Sequence, residues 1–503
     1  MNPQVTVTRR NTLLVGTSLA AAYALGSQTL DLASSPANAQ PTPPEVTGGA
    51  PTSGILAQTS GTQKIDSQTL QRRAVDAAIW GMPIVAMNGM RQAFFRDAKA
   101  NYGDVVYWSK PSDWKFQIPT PNVSVRYVYF NCNTRDGPVV IEMPPALGAG
   151  LFGSINDAWQ TPLIDVGPVG EDQGRGGKYL VLPPDFKGEV PPGYIPVHAQ
   201  TYNCFSILRA IPKSSSDADV SAAIELVKKL RVYPLANAGS PPETHFVDMT
   251  GKLFDAIARF DESFYASLAQ MIDEEPVLAR DRAMMGLMLP LGIERGKAFK
   301  PDAAMQGILA QSAREAHAWL MNELPAYKTP FWPDSSWAKV YPPAAPETLF
   351  TFERPEYLDV DARGIGFFSF TAPPVRLGEA SVYYSAYKDA AGKLLLGGEN
   401  YKLHVPPNPP AQQFWELTVY DLESCAYIRE MPRAGIGSLD PTLQKNADGS
   451  VDVYIGPKPL AGKEANWLQT VPGHGWFPFF RLYAPKPSFF DKTWKLPEIE
   501  KAQ

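Results

Sequence analysis

Val123-Ser124-Val125-Arg126-Tyr127-Val128-Tyr129 repeats with a period of two: Val123, Val125, Tyr127 and Tyr129 alternate with Ser124, Arg126 and Val128. That period belongs to a strand whose successive side chains point to opposite faces. Downstream, Gly137 precedes an apolar run at 139–143 that prolines stop, and further short apolar runs follow at 179–182 and 204–211. Pro and Gly between such runs predict an antiparallel sandwich or barrel. Upstream, Asp66 can cap a helix in which Leu70, Ala74, Ala77 and Ala78 share a face. Gly81 and Pro83 are expected to interrupt it, with a second helical stretch continuing to Phe95.

Beyond the first strands, residues 216–219 open a second helix that Pro234 is expected to end, and 246–324 reads mostly as helix. There Met305, Ile308, Leu309, Ala313, Ala316 and Leu320 form one stripe at helical spacing. Strand texture returns at 365–370, 382–387, 414–420 and 451–455, the last preceded by the turn signal Asn446-Ala447-Asp448-Gly449. The order predicts an α+β chain: a β-rich domain at 66–236, a helical bridge at 237–357 and a second β-rich domain, an antiparallel sandwich or barrel, at 358–503.

The N-terminus carries a different message. Arg9-Arg10 stands before an apolar run at 13–25, and Ala37-Asn38-Ala39 closes the stretch. This reads as a twin-arginine signal peptide over 1–39, followed by a disordered linker at 40–65, and it predicts a periplasmic or secreted protein. The net charge of −5 becomes one unit more negative without Arg9, Arg10 and Asp31, and no basic block occurs. Nucleic acid is therefore not an expected partner, and no apolar run is long enough to span a membrane. The chain has three cysteines, Cys132, Cys204 and Cys425, so a single disulfide would leave an odd thiol. Nothing in the sequence demands a homo-oligomer, and pairing is left open.

Motif absences narrow the chemistry. There is no G-x-S-x-G, no G-x-G-x-x-G directly after a strand, no phosphate-loop pattern and no H-E-x-x-H. The five histidines, His198, His245, His317, His404 and His474, are far apart in sequence. No cofactor is evident; a divalent metal would need distant His and Asp ligands brought together by the fold.

Several pieces carry a family resemblance: Trp80-Gly81-Met82-Pro83, Pro119-Thr120-Pro121-Asn122, Asp136-Gly137-Pro138-Val139-Val140 and Asn156-Asp157-Ala158-Trp159. With Tyr127, they make residues 80–236 similar to the domain-of-unknown-function family 1254. Phe414 to Tyr420, Asp448-Gly449-Ser450, Asn466-Trp467-Leu468, Arg481-Leu482-Tyr483 and Trp494 make residues 392–497 similar to family 1214. The resemblance implies two β domains around helices and, from some relatives, hydrolysis of alkyl sulfate esters. Two departures stand out. Ser124 and Val125 occupy places where the family has an acid and Thr, and Ala434 follows Arg433 where an aromatic is usual.

The expected function is an exported hydrolase of a small anionic or amphiphilic ester, with water activated in an interdomain pocket. The alternative is a non-catalytic carbohydrate- or lipid-binding β protein of the cell envelope. Asp157, beside Trp159, and His198 are the candidate proton movers. Arg126 and Arg433 are the candidate anion holders, with Tyr127, Trp415 and His474 lining the substrate. Arg481 lies among Phe479, Phe480, Leu482 and Tyr483, which favours a structural ion pair.

Overall fold

In the first half, near-continuous apolar strands must be covered on both faces, and they are. A computed structural model describes residues 65–214, 216–376 and 381–502; the expected leader and, Ile65 apart, the expected linker lie outside these residues. A six-stranded sheet runs in the order Phe246–Asp248, Val105–Tyr107, Arg126–Asn133, Asn203–Pro212, Ala149–Asp157 and Pro162–Val166. A four-stranded sheet runs Arg231–Pro234, Val139–Met143, Gly177–Leu182 and Tyr194–His198. Val128, Phe130 and Cys132 point inward to meet Ile141, Val181 and Val197 in a dry core. On the opposite face Tyr127, Tyr129, Phe205 and Ile207 join a larger core shared with the helices and the second half. Cys132 and Cys204 sit opposite each other in the ladder; all three cysteines are buried and unbonded.

The second half repeats the pairing of sheets. Five strands run Ala338–Lys339, Ser381–Ser385, Trp476–Pro485, Ala411–Asp421 and Gly435–Gly437, and four run Trp467–Gln469, Val451–Gly456, Tyr401–Val405 and Glu500–Lys501. Trp415, Leu417, Phe480 and Leu482 belong to the core with Leu403, Val453 and Ile455. By alternation the other face of the central pair carries Glu416 opposite Arg481 and Thr418 opposite Phe479. The expected α+β class holds, with both β-rich regions present.

The helices depart from expectation in three places. Ser67–Arg96 is one helix of 30 residues, capped by the Asp66 carboxylate accepting from the Thr69 N–H at 2.8 Å, and Pro83 lies inside it. The missing Pro83 N–H leaves the Ile79 carbonyl without its usual donor, and that carbonyl faces Gly364, where a Cβ would come within 2.8 Å. Unbroken burial from Ala77 to Asn88 holds the helix together across the defect. The run expected as a strand at 365–370 is instead the end of helix Val360–Ser369, capped by Asp359. A short apolar run buried on every side has no period to reveal its class. Finally, the second helix stops at Val227, and Arg231–Pro234 is a strand.

Within 246–324, Glu262–Glu274, Arg282–Met288 and Ala303–Glu323 are helical, while Phe246–Asp248 pairs in parallel with Val105–Tyr107. The expected stripe buries Leu309, Ala313, Ala316 and Leu320. None of the described helices is long and apolar enough to cross a membrane.

Candidate functional site

Tyr127 and Arg209 face each other across neighbouring strands of the first half. Both line a cavity whose far wall is Tyr383, Phe479 and Arg481 from the second half. The 119–122 loop, Val340, Tyr341 and the 370–372 segment close its sides. The space open to the centre of a water-sized sphere is about 50 Å³.

The two arginines differ in their surroundings. The Arg481 guanidinium donates to Glu416 Oε1 at 3.1 Å, Thr418 Oγ1 at 2.7 Å, the Tyr420 hydroxyl at 2.5 Å and the Thr120 carbonyl at 3.3 Å. Burial works against its charge, but the Tyr420 oxygen and the Glu416 carboxylate outweigh that and hold its pKa well above the usual value. Arg209 is half-buried; among the described residues it has no carboxylate within ion-pair reach, and its buried Nε has no hydrogen-bond partner. Burial opposes ionisation here too, but a guanidinium's ordinary pKa stands so far above 7 that it stays charged. Burial raises the pKa of Tyr127 and pushes that of Tyr341 up to about 12, so both phenols are neutral near pH 7.

The loop walls are held firmly. The Asn122 N–H donates to the Tyr127 hydroxyl at 2.8 Å, and the Asn122 amide donates to the Tyr483 hydroxyl at 3.1 Å. The Tyr420 hydroxyl donates to the Pro121 carbonyl at 2.6 Å. Thr120 adopts φ 44° and Ala372 φ 49°, a region that costs any residue with a Cβ and most of all a branched one. Such strain persists where surrounding contacts over-determine it, and it gathers at ligand sites. Here the Thr120 hydroxyl donates to the Ser369 carbonyl at 2.9 Å, while the Gln160 carbonyl oxygen accepts from the Thr371 hydroxyl at 2.8 Å and from the Ala372 N–H at 3.3 Å. Asn156 adds a bond to the Pro373 carbonyl at 3.0 Å, so the 156–160 motif serves the cavity by fixing its wall.

Of the residues expected to move protons or hold the ligand, Tyr127 alone lines this cavity; Arg481, expected as a structural ion pair, lines it too and makes that pair with Glu416. Arg126, on the other face of the strand, donates through Nε to the Ser109 carbonyl at 3.1 Å. Asp157 is buried and accepts from the Thr161 N–H at 2.9 Å; burial raises its pKa to about 6, partly opposed by that bond and by Arg280. His198 is exposed at the end of an edge strand. Arg433 ties down the Trp467 and Ala465 carbonyls and pairs with Asp440 at 3.2 Å. Trp415 is buried against Phe480 in the second core. His474 bonds Asp421 at 3.2 Å in a separate, wider groove of about 600 Å³ that also holds His317, Glu423 and Arg429. These residues do not converge, because alternation sends neighbours to opposite faces and the halves meet along one face of each sheet. Arg209 escaped notice in sequence. Its signal is a lone guanidinium at a core-facing position of the apolar strand Asn203–Pro212. Among the described residues no three His, Cys, Asp or Glu side chains gather as a metal site.

Residues 103–234 match the family described as protein of unknown function DUF1254, and residues 380–487 match the one described as protein of unknown function DUF1214. A solved structure from Vibrio parahaemolyticus, the VPA0106 protein, is similar in fold at a TM-score of 0.50 and 16% identity, covering 86% of this chain and 100% of its own. An uncharacterised protein from Burkholderia cenocepacia, 13% identical over 86% of this chain and 94% of its own, aligns at a TM-score of 0.36, too low to bear on the fold. No curated protein matches the chain.

Proposed function

We propose that this chain, a DUF1254 region followed by a DUF1214 region, binds a small anionic molecule in the cavity where the two regions meet. The observation that carries the reading is Arg209: a charged, half-buried guanidinium that faces a cavity and has no carboxylate partner among the described residues. Burying a charge without a partner costs free energy, so its retention is explained by a partner that arrives from outside. A guanidinium presents paired N–H donors that match an oxyanion, and Tyr127, Tyr341 and Tyr383 add neutral donors around it.

Binding is the activity this geometry supports best. Hydrolysis of an alkyl sulfate ester needs a base within hydrogen-bond reach of the attacking water. Asp157 and His198 do not line the cavity, and neither a free carboxylate nor an imidazole stands among its described lining residues. The reading therefore lies closer to a binding protein than to a hydrolase, with an anion in place of a sugar or lipid. Export forms part of the proposal: Arg9→Lys with Arg10→Lys should retain the protein in the cytoplasm, as fractionation and immunoblotting would show.

Thermal melts of the purified protein against a panel of small anions test the binding claim. A ligand at one hundred times its Kd should stabilise the fold by about 2.7 kcal/mol. Arg209→Leu should abolish that shift while leaving the circular dichroism spectrum unchanged. A folded wild-type protein indifferent to every anion removes the proposal. Release of sulfate or alcohol from alkyl sulfates or carboxylic esters in a parallel assay would restore the hydrolase reading.

A further inference from the structure

The charges around the cavity can be counted, and the count specifies the ligand more narrowly than the word anion. Arg481 is matched by Glu416 in a fully buried pair. Among the described residues Arg209 has no carboxylate within ion-pair reach, and its Nε has no hydrogen-bond partner. Of the remaining described polar lining, Thr120, Asn122 and Thr371 carry no charge, and burial keeps Tyr127 and Tyr341 neutral at pH 7. Among the described residues the cavity thus holds one unbalanced positive charge. A monoanion neutralises it. A dianion would carry a second, unpaired negative charge into the same low-dielectric space, at a cost that rises steeply with burial.

Size narrows the class further. A water molecule needs roughly 10–15 Å³ on this measure, so the open space of about 50 Å³ holds a few waters, or an oxyanion head with a short body. Long alkyl chains and sugar rings exceed it. The lining away from Arg209 includes Ile118, Ile207, Val340 and Phe370, which favours an apolar body over a hydroxylated one.

We infer that the ligand is a compact monocarboxylate, its carboxylate on Arg209 and its short apolar body against Ile118, Val340 and Phe370. This rests on the anion-binding reading above and sharpens it. A planar carboxylate meets the fork of a guanidinium through two parallel hydrogen bonds, and its single charge matches the single vacancy in the count.

Calorimetric titration of the full folded protein with five probes decides it: acetate, propionate, the neutral isostere propionamide, sulfate and phosphate, at constant ionic strength. Propionate should bind at least tenfold more tightly than sulfate, phosphate or propionamide, and Arg209→Leu should remove the propionate heat. Sulfate or phosphate binding as tightly as propionate, with loss on Arg209→Leu, would overturn the monocarboxylate assignment and leave anion binding intact. Failure of all four anions would overturn both. Glu416→Gln supplies an independent check. By releasing the charge of Arg481 it should shift the preference toward sulfate, tenfold or more relative to propionate; a folded variant with an unchanged preference counts against the charge count.

Discussion

The two walls of the cavity are built on the same plan and differ in one respect. Each is the inward face of a central antiparallel strand pair, and each sets an arginine among aromatic rings. The second half surrounds Arg481 with Glu416, Thr418, Tyr420 and the Thr120 carbonyl. The first half sets Arg209 opposite Tyr127, and no carboxylate among the described residues comes within its reach. A buried charge paired with a carboxylate fixes structure. One without such a pair is an unfilled electrostatic demand, and that difference separates the framework arginine from the binding arginine.

The sharpest way to break this comparison is Arg481→Met. It strands the Glu416 carboxylate in the interior and should cost about 3–5 kcal/mol in denaturant unfolding. The double variant Arg481→Met with Glu416→Leu should regain most of that loss. If the single variant is as stable as the parent, the pair is not the framework described.

Next in size is Asp157, a buried charge outside the cavity. Its folded pKa of about 6 lies above the ordinary 3.8. Folding therefore favours the protonated form, and stability falls as pH rises from 3.8 to about 6, then levels off. The difference corresponds to about 3 kcal/mol at neutral pH. Asp157→Asn keeps an acceptor for the Thr161 N–H and should recover stability above pH 6 with little change below pH 4, as melts across that range would reveal.

Arg209→Leu should act in the opposite sense to Arg481→Met. Removing an unpaired, half-buried charge should stabilise the ligand-free protein by about 1 kcal/mol, while ligand-induced stabilisation disappears. A loss of stability instead would make Arg209 a framework residue like its counterpart. The smallest effect belongs to His198→Ala: an exposed edge residue should change stability by less than about 0.5 kcal/mol and leave anion binding untouched.

Much of the architecture was legible locally. Asp66 as a helix cap, the stripe along 305–320, the strands at 139–143 and 451–455 and the turn at 446–449 all follow from short-range chemistry, and the structure shows each of them. Pro83 and the 365–370 run misled for one reason: both lie where packing on every side outweighs local preference. The site was legible only in part. Tyr127 was visible as one tooth of an alternating strand, whereas Trp415 went into a core and Arg433 into a loop clamp.

By itself, then, the sequence determined the class of the fold, the two β-rich regions and a collision of aromatic and charged residues somewhere between them. The tertiary structure decided which arginine has a partner. Period and propensity report a residue's own strand and face, but the pairing of a buried charge depends on which distant face is laid against it. Glu416 is 65 positions from Arg481 in the chain and directly opposite it in the sheet; for Arg209 the described residues of the opposing wall include Tyr383, Phe479 and Arg481 but no carboxylate.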